Sequence, residues 1–128
     1  MAVRGIRGAT TVDANTSAAI GEATAELLLA MVERNRIDLK EIASAWFTTT
    51  PDLTADFPAY AARQLGWFAV PLICAQEIPV PEALPGVVRV LLHYNTDAPQ
   101  AGIHHVYLRG AVALRRDLIE RYHEAPPE

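Results

Sequence analysis

The chain has 128 residues, 51% of them hydrophobic, so one domain can bury a core without disulfides or a structural metal. Its single cysteine, Cys74, excludes an intramolecular disulfide, and no set of Cys and His residues has the spacing of a zinc site. The net charge of −4 includes no block of like charges, which argues against a nucleic-acid footprint or a polybasic membrane surface.

The first half of the chain predicts two strands and two helices. Residues 2–12 are rich in β-branched side chains and predict a strand, in which Gly5 and Gly8 indicate a bulge or a close backbone approach. Residues 16–35 carry apolar side chains at helical spacing and predict the longest helix. Residues 42–50 end in aromatic and threonine residues, which favour a second strand. Phe57-Pro58 opens a short helix that Gly66 ends.

The second half consists mainly of strands. Residues 68–78 and 87–95 predict two strands, separated by a segment rich in proline and glycine that cannot form a regular element. Residues 104–108 predict a fifth, shorter strand, and residues 111–120 a short helix before a C-terminal tail. This order predicts one α+β domain over residues 1–128, with a mixed five-stranded sheet and helices on one face.

The expected location is the cytoplasm. The apolar runs are too short to span a bilayer, and the N-terminal residues Met-Ala-Val-Arg-Gly lack the apolar core of a secretory signal. A lone cysteine also suits a reducing compartment.

Arg89 is the most informative single residue, because it interrupts the apolar run 87–92, which looks buried on both faces. A guanidinium in such a setting needs a carboxylate partner or an anionic ligand. The alternatives are a structural ion pair, for example with Glu77, or an edge strand with this face in water. Ten of the eleven basic residues are Arg, which suits bidentate carboxylate binding, although a GC-rich genome explains the same bias.

Four other side chains are candidates for the same site. Glu77 ends a strand just before the proline-rich segment, Tyr107 can donate a hydrogen bond, and Arg7 lies beside Gly8, which leaves room for a ligand. Cys74 and Glu77 are three residues apart, so on a regular strand their side chains point to opposite faces of the sheet. They share a site only if a bulge or a backbone contact intervenes. Each residue also has an ordinary structural interpretation, such as a solvated strand end or a small buried hydrophobe.

Short motifs along the chain resemble the chorismate mutases of the small trimeric type, whose fold is a pseudo-α/β barrel. The most specific motifs are Arg4–Val12 and His105–Leu108. The others are Thr50–Leu53, Phe57–Ala59, Gly66-Trp67, Val70-Pro71, Gln76-Glu77, Arg89-Val90, Thr96-Asp97, Pro99-Gln100 and Leu114-Arg115. The resemblance covers roughly residues 3–118 and does not include the last ten residues.

The resemblance implies a homotrimer that converts chorismate to prephenate, in aromatic amino-acid synthesis, within clefts between neighbouring subunits. Five residues match ligand-contacting positions of the family, namely Arg7, Cys74, Glu77, Arg89 and Tyr107.

Further positions are implied to line or border the ligand. Phe57 and Ala59 match the wall from the adjoining subunit. Arg63 and Arg115 match positions near the entrance, where the C-terminal segment is expected to order over the ligand. The chain departs from the family at Tyr60, where a basic residue occurs in some members, and at Ile73, a substrate-lining position where a hydroxyl residue can occur.

The implied reaction needs no metal, organic cofactor or covalent intermediate, so we expect none. One C–O bond of chorismate breaks as one C–C bond forms in the same molecule. A protein can select the compact conformer and place positive charge where the ether oxygen becomes negative. We expect Arg89 to act there, Arg7 to bind a carboxylate with Tyr107 orienting the same end, and Glu77 with the Cys74 region to accept from the ring hydroxyl.

Two other functions remain open at the level of sequence. A non-catalytic trimeric module that senses small carboxylates would use the same arginines, and only the joint presence of Arg7, Glu77, Arg89 and Tyr107 argues against it. An enamine or imine deaminase with a similar trimeric α+β architecture would also hold a carboxylate with arginine, but the ordered motifs match the mutases.

Overall fold

The computed structural model describes residues 1–116. Its strands are β1 (Ala2–Thr11), β2 (Ile42–Thr49), β3 (Leu72–Gln76), β4 (Val87–Thr96) and β5 (Val106–Tyr107), and its α-helices are α1 (Ser17–Asn35) and α2 (Ala59–Gln64). Short 3-10 turns lie at Leu39–Glu41, Gln100–Gly102 and Arg109–Ala111. Residues 112–116 are helical, and the rest of the predicted helix 111–120 and the tail lie outside the described residues.

The five strands form one mixed sheet in the order β3-β2-β4-β1-β5. β4 pairs antiparallel with β1 along the whole of both strands and with β2 on its other side. β3 runs parallel to β2, and β5 runs parallel to β1. The predicted mixed five-stranded sheet is therefore confirmed.

Both α-helices pack on the same face of this sheet, as predicted. The hydroxyl of Thr16 caps the start of α1 by accepting from the backbone N–H of Ala19 at 3.1 Å, and Arg36 ends the helix in the left-handed region at φ 49°. One core combines residues of α1, α2 and the sheet, among them Leu27, Leu28, Met31, Ala61, Ala62, Ile6, Phe47 and Leu92. Within residues 1–116, no helix combines the length and the apolar composition of a membrane span.

Gly8 confirms the predicted close backbone approach, whereas Gly5 lies in a regular ladder without a bulge. A Cβ atom at Gly8 would overlap Sδ of Met31, so α1 fills the space of the missing side chain, and the expectation that a ligand uses this space was wrong. The irregularity in the sheet lies instead in β2, between Ile42 and Ser44.

Two predicted strands are shorter than expected. The stretch 68–78 pairs only over Leu72–Gln76, because Trp67 and Val70 are buried as loop residues before the strand and Pro71 has no N–H to donate. The stretch 104–108 pairs only over Val106–Tyr107, because the backbone of His104 bonds to the side chain of Asn35 and not to a strand.

The interpretation of β4 as buried on both faces was wrong. Val88, Val90 and Leu92 face the core, but the alternate side chains lie on the face of the sheet opposite the helices, where Arg89 is exposed and Leu91 is 38% exposed. Trp46 of β2 is 46% exposed on the same face. We call this surface the open face of the sheet. Arg89 is therefore accessible to a ligand and not enclosed in the core.

The approach at Gly8 yields a stability prediction. Gly8→Ala should lower the free energy of unfolding by about 1–3 kcal/mol, because the buried Met31 side chain has little room to move away. Gly21→Ala is the matched control, since its Cβ would meet nothing within 4 Å inside α1, and it should stabilise by about 0.5–1 kcal/mol. Urea unfolding measures both. Equal stability of Gly8→Ala and the parent would contradict the packing described.

Candidate active site

One row of residues across four strands of the open face forms the centre of the site. The register of the strands places Thr48 beside Arg89, Arg89 beside Ala9, and Ala9 beside Tyr107. Residues in register on neighbouring strands point to the same face and lie within side-chain reach of one another. The sheet alone therefore brings Arg89 and Tyr107 onto one surface.

Arg7 joins this surface from the next row. It lies two residues before Ala9 on β1, so its side chain leaves the same face, and its register partner Leu91 lies beside Trp46 of β2. A cleft of about 350 Å³ is lined by Arg7, Arg89 and Tyr107 with Trp46, Leu91 and their strand neighbours. This volume lies within the range of small-molecule sites, and two arginines favour an anionic ligand.

Glu77 does not line this cleft but binds Arg89 from a neighbouring pocket that both residues border. Nε of Arg89 lies 3.0 Å from Oε2 and 3.1 Å from Oε1 of Glu77. The hydroxyl of Thr48 donates to Oε2 at 2.6 Å, and the backbone N–H of Glu77 donates to the Thr49 carbonyl at 2.9 Å. The carboxylate is thus fixed by its own backbone and by β2.

This ion pair matches one of the structural alternatives for Arg89, but it does not remove the residue from the cleft. The Arg89 side chain is 47% exposed, and an ion pair exposed to this degree adds about 1 kcal/mol or less to stability. Arg89 donates to Glu77 through Nε, so the terminal nitrogens of its guanidinium can face a ligand. The pair therefore orients Arg89 more than it stabilises the fold.

Five further predicted site residues form a second cleft, at the β3 edge of the sheet. This cleft, of about 380 Å³, lies between α2 and β3 and is lined by Phe57, Ala59, Tyr60, Arg63, Leu72, Ile73 and Cys74. The ring of Tyr60 packs edge-on against that of Phe57, with the centroids 5.6 Å apart. Nη1 of Arg63 donates to the carbonyl of Trp67.

Cys74 lies in this second cleft and not beside Arg89. Its opposite parity to Glu77 sends its side chain toward α2, and no bulge brings the two to one cleft within the described chain. Burial raises the pKa of the thiol above its ordinary value, and a hydrogen bond with the Ala59 backbone lowers it in part. Cys74 is therefore a protonated, partly buried thiol at neutral pH.

Arg115, the last predicted site residue, lies in the helical residues 112–116 that follow the segment with Tyr107. Its side chain is half-buried. The C-terminal segment that was expected to order over the ligand lies outside the described residues.

Sequence reasoning missed Thr48, Trp46 and Leu91 as parts of the first cleft. Their roles depend on the register of β2 and β4, which places Thr48 beside Arg89 and Trp46 beside Leu91. The polar residue Arg89 between Val88 and Val90 was the available signal that one face of β4 is exposed. The apolar residues Leu91 and Leu92 that follow conceal the alternation.

The sequence and the fold also match known proteins. Residues 3–118 match the protein family described as chorismate mutase type I. The chain belongs to this family. The family predicted from the motifs, and the isomerase class of enzyme that it carries, are thereby confirmed.

Individual relatives match over nearly their whole length. A chorismate mutase AroH of Thermus thermophilus is 58% identical over 117 residues, which cover 91% of this chain and 96% of that protein. A chorismate mutase AroH of Bacillus subtilis is 44% identical over 119 residues, or 92% of this chain and 94% of that protein. A solved chorismate mutase from Clostridium thermocellum superposes with a TM-score of 0.84 at 48% identity, covering 85% of this chain and 97% of that one.

The environment of Cys74 predicts slow alkylation. Because its pKa is raised, the thiolate fraction at pH 8 is smaller than that of free cysteine, and the rate should still be rising above pH 9. Mass spectrometry after timed iodoacetamide treatment measures this, and the same chain in urea is the matched control. A rate that levels off below pH 8 would show a depressed pKa and contradict the prediction.

Proposed function

We propose that this chain converts chorismate to prephenate in the cleft of Arg7, Arg89 and Tyr107, by conformer selection and arginine electrostatics. The observation that carries the proposal is the position of Arg89, held by Glu77 on the wall of a cleft in a chain of the chorismate mutase family. Chorismate carries two carboxylates, which suits a cleft with two guanidinium groups. The reaction moves no atom to or from the protein.

Arg89 is assigned to the ether oxygen and a neighbouring carboxylate. This oxygen gains negative charge as its bond to carbon lengthens, so a cation fixed there stabilises the transition state more than the ground state. The bond from Nε to Glu77 fixes the plane of the guanidinium before the substrate arrives. Even an acceleration on the order of 10⁶-fold requires about 8 kcal/mol, so conformer selection must contribute beside Arg89.

Arg7 and Tyr107 are assigned to the other side of the substrate. Arg7 clamps a carboxylate, and the phenol of Tyr107 donates to the same end, which holds the enolpyruvyl group over the ring. Trp46 and Leu91 provide the apolar floor against which the compact conformer packs.

Glu77 is assigned three partners at once. A carboxylate offers about four acceptor positions, so Glu77 can hold Arg89, accept from Thr48 and still accept from the ring hydroxyl of chorismate. Neutralising Glu77 would therefore disturb both the substrate and the arginine.

We also propose that the protein is a homotrimer in which each site combines the two clefts of different subunits. In one chain the clefts have no lining residue in common, although both contain residues that match the substrate-binding positions of the family. The exposed Trp46 and Leu91 give the open face an apolar surface suited to a second copy of the chain. Arg63, Phe57, Ala59, Ile73 and Cys74 then complete the site of a neighbour.

A cytoplasmic location and a role in phenylalanine and tyrosine synthesis belong to the same proposal. The free thiol of Cys74 suits a reducing compartment, and the reaction of the chorismate mutase family supports the biosynthetic role.

Two substitutions separate electrostatic catalysis from binding. Arg89→Ala should lower kcat by at least about 10²–10³-fold, as expected when one preorganised donor to a developing oxyanion is lost. Arg63→Ala should mainly raise KM. The assay follows the loss of chorismate absorbance and the appearance of prephenate. Near-normal kcat in a folded Arg89→Ala protein would refute the assignment, and binding of chorismate without any prephenate would favour a sensing module.

Mixed trimers test whether subunits share a site. Arg89→Ala inactivates the first cleft, and Ala59→Trp fills the second, so each homotrimer should be inactive. After denaturation and joint refolding, some mixed trimers should regain an intact site, with each cleft from a different chain. Joint refolding of Arg89→Ala with Arg7→Ala is the control, since both changes lie in the same cleft and cannot complement. Lack of recovery in the first mixture would rule out shared sites.

A further inference from the structure

The strand β5 is too short to cover the edge of β1 beside Arg7. The two strands pair only at Gly8 with Val106 and at Ala9 with Tyr107. On this edge the carbonyl of Ala9 accepts from the N–H of Leu108 at 2.9 Å. Because alternate residues of a strand direct their main-chain polar groups to the same edge, the N–H of Arg7 points to this edge as well. It lies one position before the pairing begins.

The side chain of His105 provides the acceptor that the strand does not. Its Nδ1 lies 3.0 Å from the backbone N of Arg7. An amide N–H only donates, so Nδ1 must be unprotonated and the neutral ring carries its proton on Nε2. The imidazole thus takes the place of a main-chain carbonyl at the end of the ladder.

Asn35, the last residue of α1, holds the segment that carries this ring. Its Oδ1 accepts from the N–H of His104 at 2.8 Å, and its Nδ2 donates to the carbonyl of His104 at 2.8 Å. Nδ2 also donates to the carbonyl of Met31 at 3.0 Å, one turn earlier in the helix. Hydrogen bonds at His104 and at the adjacent residue His105 therefore connect α1 to the backbone of Arg7.

We propose that His105 is a positioning residue for the mutase reaction and acts through Arg7. The inference rests on the proposed function, in which Arg7 clamps a carboxylate. The orientation of the Arg7 peptide sets the direction of its side chain, and β4 pairs only with the opposite edge of β1. The hydrogen bond from His105 therefore restrains the Arg7 peptide at the edge that β4 does not reach. A displacement of about 1 Å in a substrate clamp is enough to lower the rate strongly.

Three substitutions test the acceptor itself. In His105→Asn, Oδ1 is attached to Cγ as Nδ1 is in histidine, so the bond to Arg7 is kept and kcat/KM should stay within about threefold of the parent. His105→Leu has similar bulk but no acceptor, and His105→Gln places its oxygen one bond farther away. Both should lower kcat/KM by about tenfold or more. His105→Gln also serves if His105→Leu does not fold.

A control and a double-substitution cycle separate positioning from general stability. His104→Ala leaves both backbone bonds to Asn35 in place and should keep the parent kcat/KM. In an Arg7→Ala background, His105→Leu should cause little further loss, because the side chain that it positions is already absent. Amide hydrogen exchange at Arg7 should accelerate in His105→Leu and not in His105→Asn.

The outcomes distinguish this inference from the proposed function. If the parent protein forms no prephenate, the proposed function fails, while the exchange of the Arg7 amide still reports whether the bond exists. If the parent is active, the inference is overturned by parent-like kcat/KM in His105→Leu, by equal losses in His105→Asn and His105→Leu, or by an undiminished loss in the Arg7→Ala background. Rescue by asparagine with coupling to Arg7 supports it.

Discussion

The antiparallel pairing of β1 with β4 is the constraint on which the first cleft depends. It sets Ala9 beside Arg89 and Arg7 beside Leu91, so two guanidinium groups leave the same face of the sheet in adjacent rows. A shift of one residue in this register would turn the arginine of one strand toward the face of the sheet that packs on the helices. The approach of Met31 to Gly8 fixes α1 on the other face of the same strand. Packing on one side thus maintains the arrangement of charge on the other.

The two clefts reflect a division of work along the chain. Strands at the centre and the β5 edge of the sheet carry Arg7, Arg89 and Tyr107, while α2 and β3 carry one arginine, Arg63, among mainly aromatic, aliphatic and thiol groups. The charged residues need fixed orientations, and a sheet with a regular ladder supplies them. The second group mainly provides shape, and a short helix against an edge strand is sufficient for that.

Much of the fold follows from the sequence because its signals are local. Helix α1 has a cap and helical periodicity, β4 has a long run of strand-forming residues, and Gly8 marks a close approach, so each could be predicted. The lengths of β3 and β5 could not be predicted from local signals. The start of β3 depends on Pro71, which has no N–H for the ladder, and the length of β5 depends on hydrogen bonds from the distant side chain of Asn35.

For the candidate site, motifs identified the residues but not their grouping. Residue by residue, the family resemblance selected Arg7, Arg89 and Tyr107, which the fold brings together. The assignment of Cys74 to the second cleft required knowledge of which way β3 faces, and the contact of His105 with Arg7 required the end of the β5 pairing. These are non-local facts, which a list of motifs does not contain.

The ion pair with Glu77 partly neutralises the charge of Arg89 at the cleft. A ligand that binds this guanidinium must therefore interact with it in addition to Glu77. It can do so by accepting hydrogen bonds from the terminal nitrogens or by carrying several negative charges. The salt bridge that orients the cation thus also raises the negative charge that a ligand needs in order to compete with Glu77 for this guanidinium.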